Sequence, residues 1–214
     1  NIIITGKSDR DASSVLNYDY VTIKYNTSGV QQWVQSYNGS GNTEDQPYAI
    51  AVDASNNVYV TGKASNSLDF DIVTLKYNTS GVQQFVKVVD SGNGDEVGAD
   101  IDVVGSNFYI TGEYAATTSD DNYLTVKYDL AGTVVWTKLF DGGYAGNDDR
   151  ASEVKADAAG NVYVSGRSED ANGIYNIVTI KYNAAGTQQW FNSYDNLGRE
   201  DRPYDMTIYG AGNV

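Results

Sequence analysis

The feature that most limits what this chain can fold into is a sentence it writes four times. The text YNTSGVQQW, Tyr25 to Trp33, returns as YNTSGVQQF from Tyr77, YDLAGTVVW from Tyr128 and YNAAGTQQW from Tyr182. The spacings are 52, 51 and 54 residues. Self-similarity at this period is the mark of solenoids and propellers. Each copy sits in a longer unit. YVTIKYN, IVTLKYN, YLTVKYD and IVTIKYN lead into it, and NIIITGK, NVYVTGK, NFYITGE and NVYVSGR lie upstream. Before these come AIAVDASN at Ala49, DIDVVGSN at Asp100, EVKADAAGN at Glu153 and DMTIYGAGN at Asp205.

Each unit reads as four short strands joined by turn chemistry. In the second unit they span 48–53, 58–63, 71–77 and 82–89, separated by DASNN, ASNSLD, NTSG and DSGNGDE. Short strands with short joints form an antiparallel meander. Along YVTIKY both faces are apolar, as in sheets that stack on one another and not in a sheet with one wet face. The expectation is an all-β chain, a β-propeller of four-stranded antiparallel blades, with residues 1–214 as a single domain of four repeats of about 53 residues. The last repeat stops where the first begins. Tyr204–Tyr209 is therefore expected to pair beside Ile2–Lys7 and close the ring, within one chain or, by strand exchange, between two.

In the repeated text Asn26 opens a turn by bonding its own following backbone, and Gly29 supplies a left-handed residue. Trp33 follows in the next strand. The same spacing holds for Gly81 and Phe85, Gly132 and Trp136, and Gly186 and Trp190. One aromatic at a fixed place per unit reads as a packing knob, against its own hairpin or the next blade. A stack of rings for sugars is the competing reading.

The Asn/Asp, Gly, Trp turn is similar to the tryptophan-docking motif of quinoprotein-like propellers. The whole unit, above all AIAVDASNNVYVTGKA at Ala49–Ala64 followed by DIVTLKYNTSG, more closely resembles the bacterial SBBP repeat, named for seven-bladed β-propellers. That resemblance implies a secreted or cell-surface protein and no established enzymatic activity. The quinoprotein likeness implies a cofactor held by central residues, none of which can be mapped here. A seven-bladed parent would make this chain a fragment.

Composition narrows the chemistry. With no Cys and no His, zinc sites, serine–histidine triads and cysteine nucleophiles have no residues to build them. A formal charge of −14 argues against nucleic acid, which needs a basic patch. No apolar run approaches the roughly 20 residues of a membrane helix. An acidic pair precedes each first strand: Glu44 and Asp45, Asp95 and Glu96, Asp148 and Asp149, Glu200 and Asp201. Each follows a loop opened by Asn38, Asp90, Asp141 or Asp195. Hard oxygen ligands on loops suit Ca²⁺, whereas carboxylates at turns also serve to hold backbone N–H groups. No other cofactor is expected. The irregular loop Asp9–Asp19 is where binding would be diversified. These features describe a non-catalytic propeller scaffold presenting loops to a protein or glycan, as a monomer or strand-swapped homodimer. The alternatives are a saccharide hydrolase or lyase using loop carboxylates, and a structural spacer from a larger propeller.

Overall fold

The computed structural model describes residues 1–9, 17–41, 43–117, 120–142 and 146–209. Fifteen strands and no helix are found among them. They are β1 (Ile2–Asp9), β2 (Tyr18–Tyr25), β3 (Gln31–Tyr37), β4 (Gln46–Val52), β5 (Val58–Ser65), β6 (Phe70–Tyr77), β7 (Gln83–Val89) and β8 (Val97–Val104), then β9 (Asn107–Thr117), β10 (Asp120–Asp129), β11 (Val134–Phe140), β12 (Asp149–Ala156), β13 (Val162–Glu169), β14 (Tyr175–Tyr182) and β15 (Gln188–Tyr194). Each of β4–β7, β8–β11 and β12–β15 is a four-stranded antiparallel meander, and β1–β3 is a three-stranded one. The second repeat's strands fall within two residues of the sequence boundaries. Of Tyr204–Tyr209, read as the strand that completes the first sheet, residues 204–208 carry no strand and Tyr209 makes only an isolated bridge.

The chain forms two compact units, Asn1–Asp90 with Asp95–Gly98, and Ser91–Gly94 with Ala99–Val214. In the first, Tyr20 and Trp33 pack with Val58, Val60, Val73, Leu75 and Tyr77. In the second, Tyr109 and Tyr123 pack with Val154, Val162, Val164, Ile180 and Tyr182. Fully burying a Val or Leu side chain contributes about 1.5–3 kcal/mol, so these clusters carry much of each unit's stability. The middle strands β5 and β6 are buried on both faces, as stacked sheets require. At one edge of each unit apolar residues remain uncovered: Ile2 and Ile4 on β1, Phe191 and Tyr194 on β15.

Two repeated devices set the register. Thr5 faces Thr22, Thr61 faces Thr74, Thr111 faces Thr125 and Ser165 faces Thr179, with hydroxyls 3.0–3.4 Å apart. Such cross-strand pairs favour one alignment over its slips. The glycine after them makes room. A Cβ on Gly62 would lie 2.0 Å from the Gln46 carbonyl, and one on Gly166 2.2 Å from that of Arg150. Opposite these glycines β4 and β12 bulge, at Pro47/Ala49 and Ala151/Glu153. The T-G text thus permits a bulged inner strand to lie close.

Candidate functional site

The repeated turn is structural, and its geometry repeats with its sequence. Ser28 and Val30 donate their N–H groups to Asn26 Oδ1, both at 2.9 Å. Asn78, Asp129 and Asn183 accept the matching pairs. Gly29, Gly81, Gly132 and Gly186 hold φ of 77–83°. A register shift follows each turn, the expected bulge.

In two copies the aromatic that ends the text docks on the next copy of the same text. Trp33 donates its indole N–H to the Thr79 carbonyl (3.2 Å), which Lys24 also reaches at 2.9 Å. Its ring covers Gly81, where a Cβ would sit 2.8 Å from the ring carbons. Trp136 repeats this on Ala184 (3.2 Å) and Gly186. Phe85 and Trp190 pack on Tyr59 and Tyr163 of their own sheets, with ring centres 6.3 Å apart. Phe85 has no N–H to donate.

The acidic pairs divide their labour. Neighbouring residues of extended chain point to opposite sides. The second carboxylate turns inward. Asp45, fully buried, accepts N–H groups from Gly39 (2.6 Å) and Ser65 (2.9 Å). Asp149 accepts from Gly142, and Asp201 from Asn196 (2.8 Å). Glu96 is fully buried too, its own N–H donating to Phe70 O at 2.7 Å. The first carboxylate turns elsewhere. Glu44 pairs with Lys7 (2.9 Å), Asp95 accepts the Phe70 N–H (3.0 Å), Asp148 pairs with Arg150 (2.9 Å) and Glu200 with Arg202. The two members of a pair therefore turn to different partners. Glu96 also meets other oxygens. Asp71, Asp90 and Glu96 bring ligand atoms within 4.8 Å of one another, with Asn66 Nδ2 donating to both Asp71 oxygens at 3.1–3.2 Å.

Burial raises the Asp45 carboxyl, and the Asp19 charge adds to it, against the pull of the Gly39 and Ser65 donors. Burial pushes Asp149 up to about 6, with Asp141 and Asp120 adding to it.

Two clusters in the second unit were not legible in the sequence. On the inner strands Asp100 accepts the Val154 N–H (2.9 Å) and Lys155 (3.0 Å), and Asp102 accepts the Ala156 N–H (2.8 Å). These carboxylates cap the open edge of β12. Burial, and then the Asp100 charge, push the neighbouring Glu153 up to about 7. Elsewhere Arg150 lies 2.9 Å from Asp148, 3.5 Å from Asp121 and 3.7 Å from Glu113. The Arg167 guanidinium stacks 4.4 Å above the Tyr175 ring. Glu113, Arg150, Arg167, Arg202 and Tyr204 line a cleft of about 300 Å³. The only signal for it was that the copies disagree there: Glu113 and Arg167 stand where the earlier repeats have Lys. The candidate loop Asp9–Asp19 lies largely outside the described residues, at 10–16.

Residues 32–69, from β3 through β5 to the joint before β6, match the family model described as SBBP, a β-propeller repeat. The chain carries an SBBP-type repeat there, and the surrounding sheets repeat its text. No curated protein matches the chain.

Proposed function

Starting from an SBBP-type propeller repeat, we propose that the chain is a non-catalytic scaffold, secreted or on the cell surface, whose loops and clefts engage a protein or glycan partner. One observation carries this reading. The text common to the repeats is used up in turns, docking and loop closure, while the residues that differ gather at the Arg150–Arg167–Arg202 cleft. Arginines beside a tyrosine are suited to a carboxylate-bearing partner, such as a uronic-acid polymer. The extracellular placement rests on the SBBP resemblance alone. Blade closure belongs to the same proposal. Residues 202–208, RPYDMTI, carry inner-strand text like QPYAIAV of β4, the first sheet is one strand short, and β1 and β15 leave apolar residues uncovered.

For the hydrolytic alternative the acid pair would be Asp100 and Glu153. Asp100 is committed to the Val154 N–H and Lys155, which favours the scaffold. The test is retention on immobilised polygalacturonate against a neutral polymer, with release of reducing ends assayed in parallel. The proposal expects selective retention, weakened about tenfold in Arg167→Ala by loss of one charged contact, and no new reducing ends. Reducing ends whose release is abolished in Glu153→Gln would make the protein a hydrolase.

A further inference from the structure

Three arginines line the cleft of the second unit, and their charges are not equally free. Arg150 and Arg167 face each other across β12 and β13. Like charges directly opposite repel. At Arg150 the repulsion is offset by Asp148, Asp121 and Glu113, at 2.9, 3.5 and 3.7 Å. Arg202 is taken by Glu200, through Nε at 3.0 Å and through Nη2. Of the three only Arg167 has no carboxylate at ion-pair distance among the described residues.

The first unit shows how the same position is neutralised. Lys7 stands in β1 where Arg167 stands in β13, before the same turn of text. Its ammonium lies 4.4 Å from the centre of the Tyr18 ring and pairs with Glu44 at 2.9 Å. Arg167 keeps the first contact, 4.4 Å above the Tyr175 ring. The loop that carries the acid takes the same path in both places. Asp45 donates its N–H to Tyr18 O at 2.6 Å, and Asp201 donates to Tyr175 O at 2.7 Å. Glu200 therefore stands where Glu44 stands. The difference lies two residues on, where QPY at Gln46 becomes RPY at Arg202. Gln46 bonds Glu44 as a neutral amide and leaves its charge to Lys7. Arg202 brings a full charge, takes Glu200 and leaves Arg167 without its counter-ion.

A guanidinium in this place differs from an ammonium. It is planar, and its fork of N–H groups matches both oxygens of one carboxylate. Stacking on a ring occupies one face and leaves that fork free at the edge. Tyr175 is itself held, its hydroxyl donating to Asp148 Oδ2 at 3.4 Å. A long side chain already ordered by its ring loses less freedom when a ligand arrives.

We propose that Arg167 alone grips the partner's carboxylate, with Tyr175 as its positioning residue, and that Arg202 keeps it unpaired by holding Glu200. This rests on the carboxylate-bearing partner proposed for the cleft. It adds that each cleft takes one carboxylate, because Arg150 and Arg202 already have theirs. A uronic-acid polymer with free carboxylates is held, and the same polymer as its methyl ester is not.

The experiment measures the affinity of the whole chain for polygalacturonate and for its methyl ester by calorimetry, with thermal melting of every variant as the check on folding. Arg167→Lys keeps the charge but loses the fork, and should weaken binding about tenfold. Tyr175→Leu removes the stack and should weaken it about threefold, the worth of an exposed cation–π contact. Tyr175→Phe keeps the ring and should restore it. In an Arg167→Ala background Tyr175→Leu should cost nothing further. Arg202→Gln, the residue of the first unit, releases Glu200 to pair with Arg167 and should weaken binding about threefold. Adding Glu200→Gln should restore it, which a direct contact between Arg202 and the polymer would not allow. Arg202 and Glu200 are about half exposed, so neither change threatens the fold. Affinity that Tyr175→Leu leaves unchanged, or that Glu200→Gln fails to restore, overturns the proposal while the carboxylate reading of the cleft stands. Absence of binding by the unaltered chain, or equal binding of the methyl ester, overturns both.

Discussion

Replacing Gly29 and Gly81 by alanine, one at a time, separates the two tasks of the repeated turn. Both residues hold left-handed backbone, at φ 77° and 82°. Alanine pays about 1–2 kcal/mol for that conformation at either place. The surroundings differ. Nothing lies within 4 Å of a Cβ at Gly29, but one at Gly81 meets the Trp33 ring at 2.8 Å. Trp33 is 9% exposed and tied by its indole N–H to Thr79, so it can yield only by unseating. Overpacking of this kind adds about 1–3 kcal/mol. Gly81→Ala should therefore cost about 2–5 kcal/mol in all. Trp33→Ala alone should cost about 3–5 kcal/mol. In the Trp33→Ala background the Gly81→Ala cost should fall back to that of Gly29→Ala, giving a coupling of about 1–3 kcal/mol. Urea unfolding followed by far-UV circular dichroism measures all four quantities without using the tryptophan as probe. Equal costs at Gly29 and Gly81, or a Gly81 cost that ignores Trp33, would refute docking of one repeat on the next.

Three further outcomes follow from the same geometry. Trp136→Phe keeps the ring and loses the bond to the Ala184 carbonyl, and should lower stability by about 1 kcal/mol in thermal melting. Asp45→Ala leaves the Gly39 and Ser65 N–H groups buried without an acceptor, and should cost about 2–5 kcal/mol by urea unfolding, whereas Glu44→Ala, at an exposed ion pair, should cost under about 1 kcal/mol. Stability should rise as pH falls from about 7.5 toward 5, because Glu153, lifted from 4.5 to about 7, and Asp149, lifted from 3.8 to about 6, bind protons in the folded state before the unfolded chain does. Below about pH 4 the trend reverses. Burial alone would raise Asp53 and Asp157, but donors from Asn57 and Asn161 outweigh it and pull both below 3.8, so their stabilisation is lost on protonation. Glu153→Gln should flatten the rise between pH 5 and 7 in melts across that range; an unchanged profile would contradict the assignment.

Sequence reading succeeded where information is local and repeated. The turn at Asn26–Val30 is set by one side chain bonding its own backbone, and the strand bounds by period-two patterning around it. It pointed to Trp33 as a knob but left the hole open between two choices, because the hole lies in the next repeat, 46 residues away at Thr79. The acidic pairs were visible as residues, but not the division of partners between their members. Strand alternation sends Asp45 inward and Glu44 outward, and only the loop path decides which donors each meets. The glycine of T-G looked like a strand residue; its need appears only once β4 and β12 bulge against it. The arginine cleft and the Asp100 cap join residues about one repeat apart, a distance at which no spacing rule operates.

On the closure proposed above, these repeats are propeller blades that complete one another within a single chain. Solution mass combined with small-angle scattering tests it most directly. Closure within one chain predicts a monomer of 23.2 kDa with a radius of gyration of about 17 Å, the value for a compact chain of this length. Twice that mass would mean that strands are exchanged between chains, and a monomer with a markedly larger radius would mean that the blades do not close.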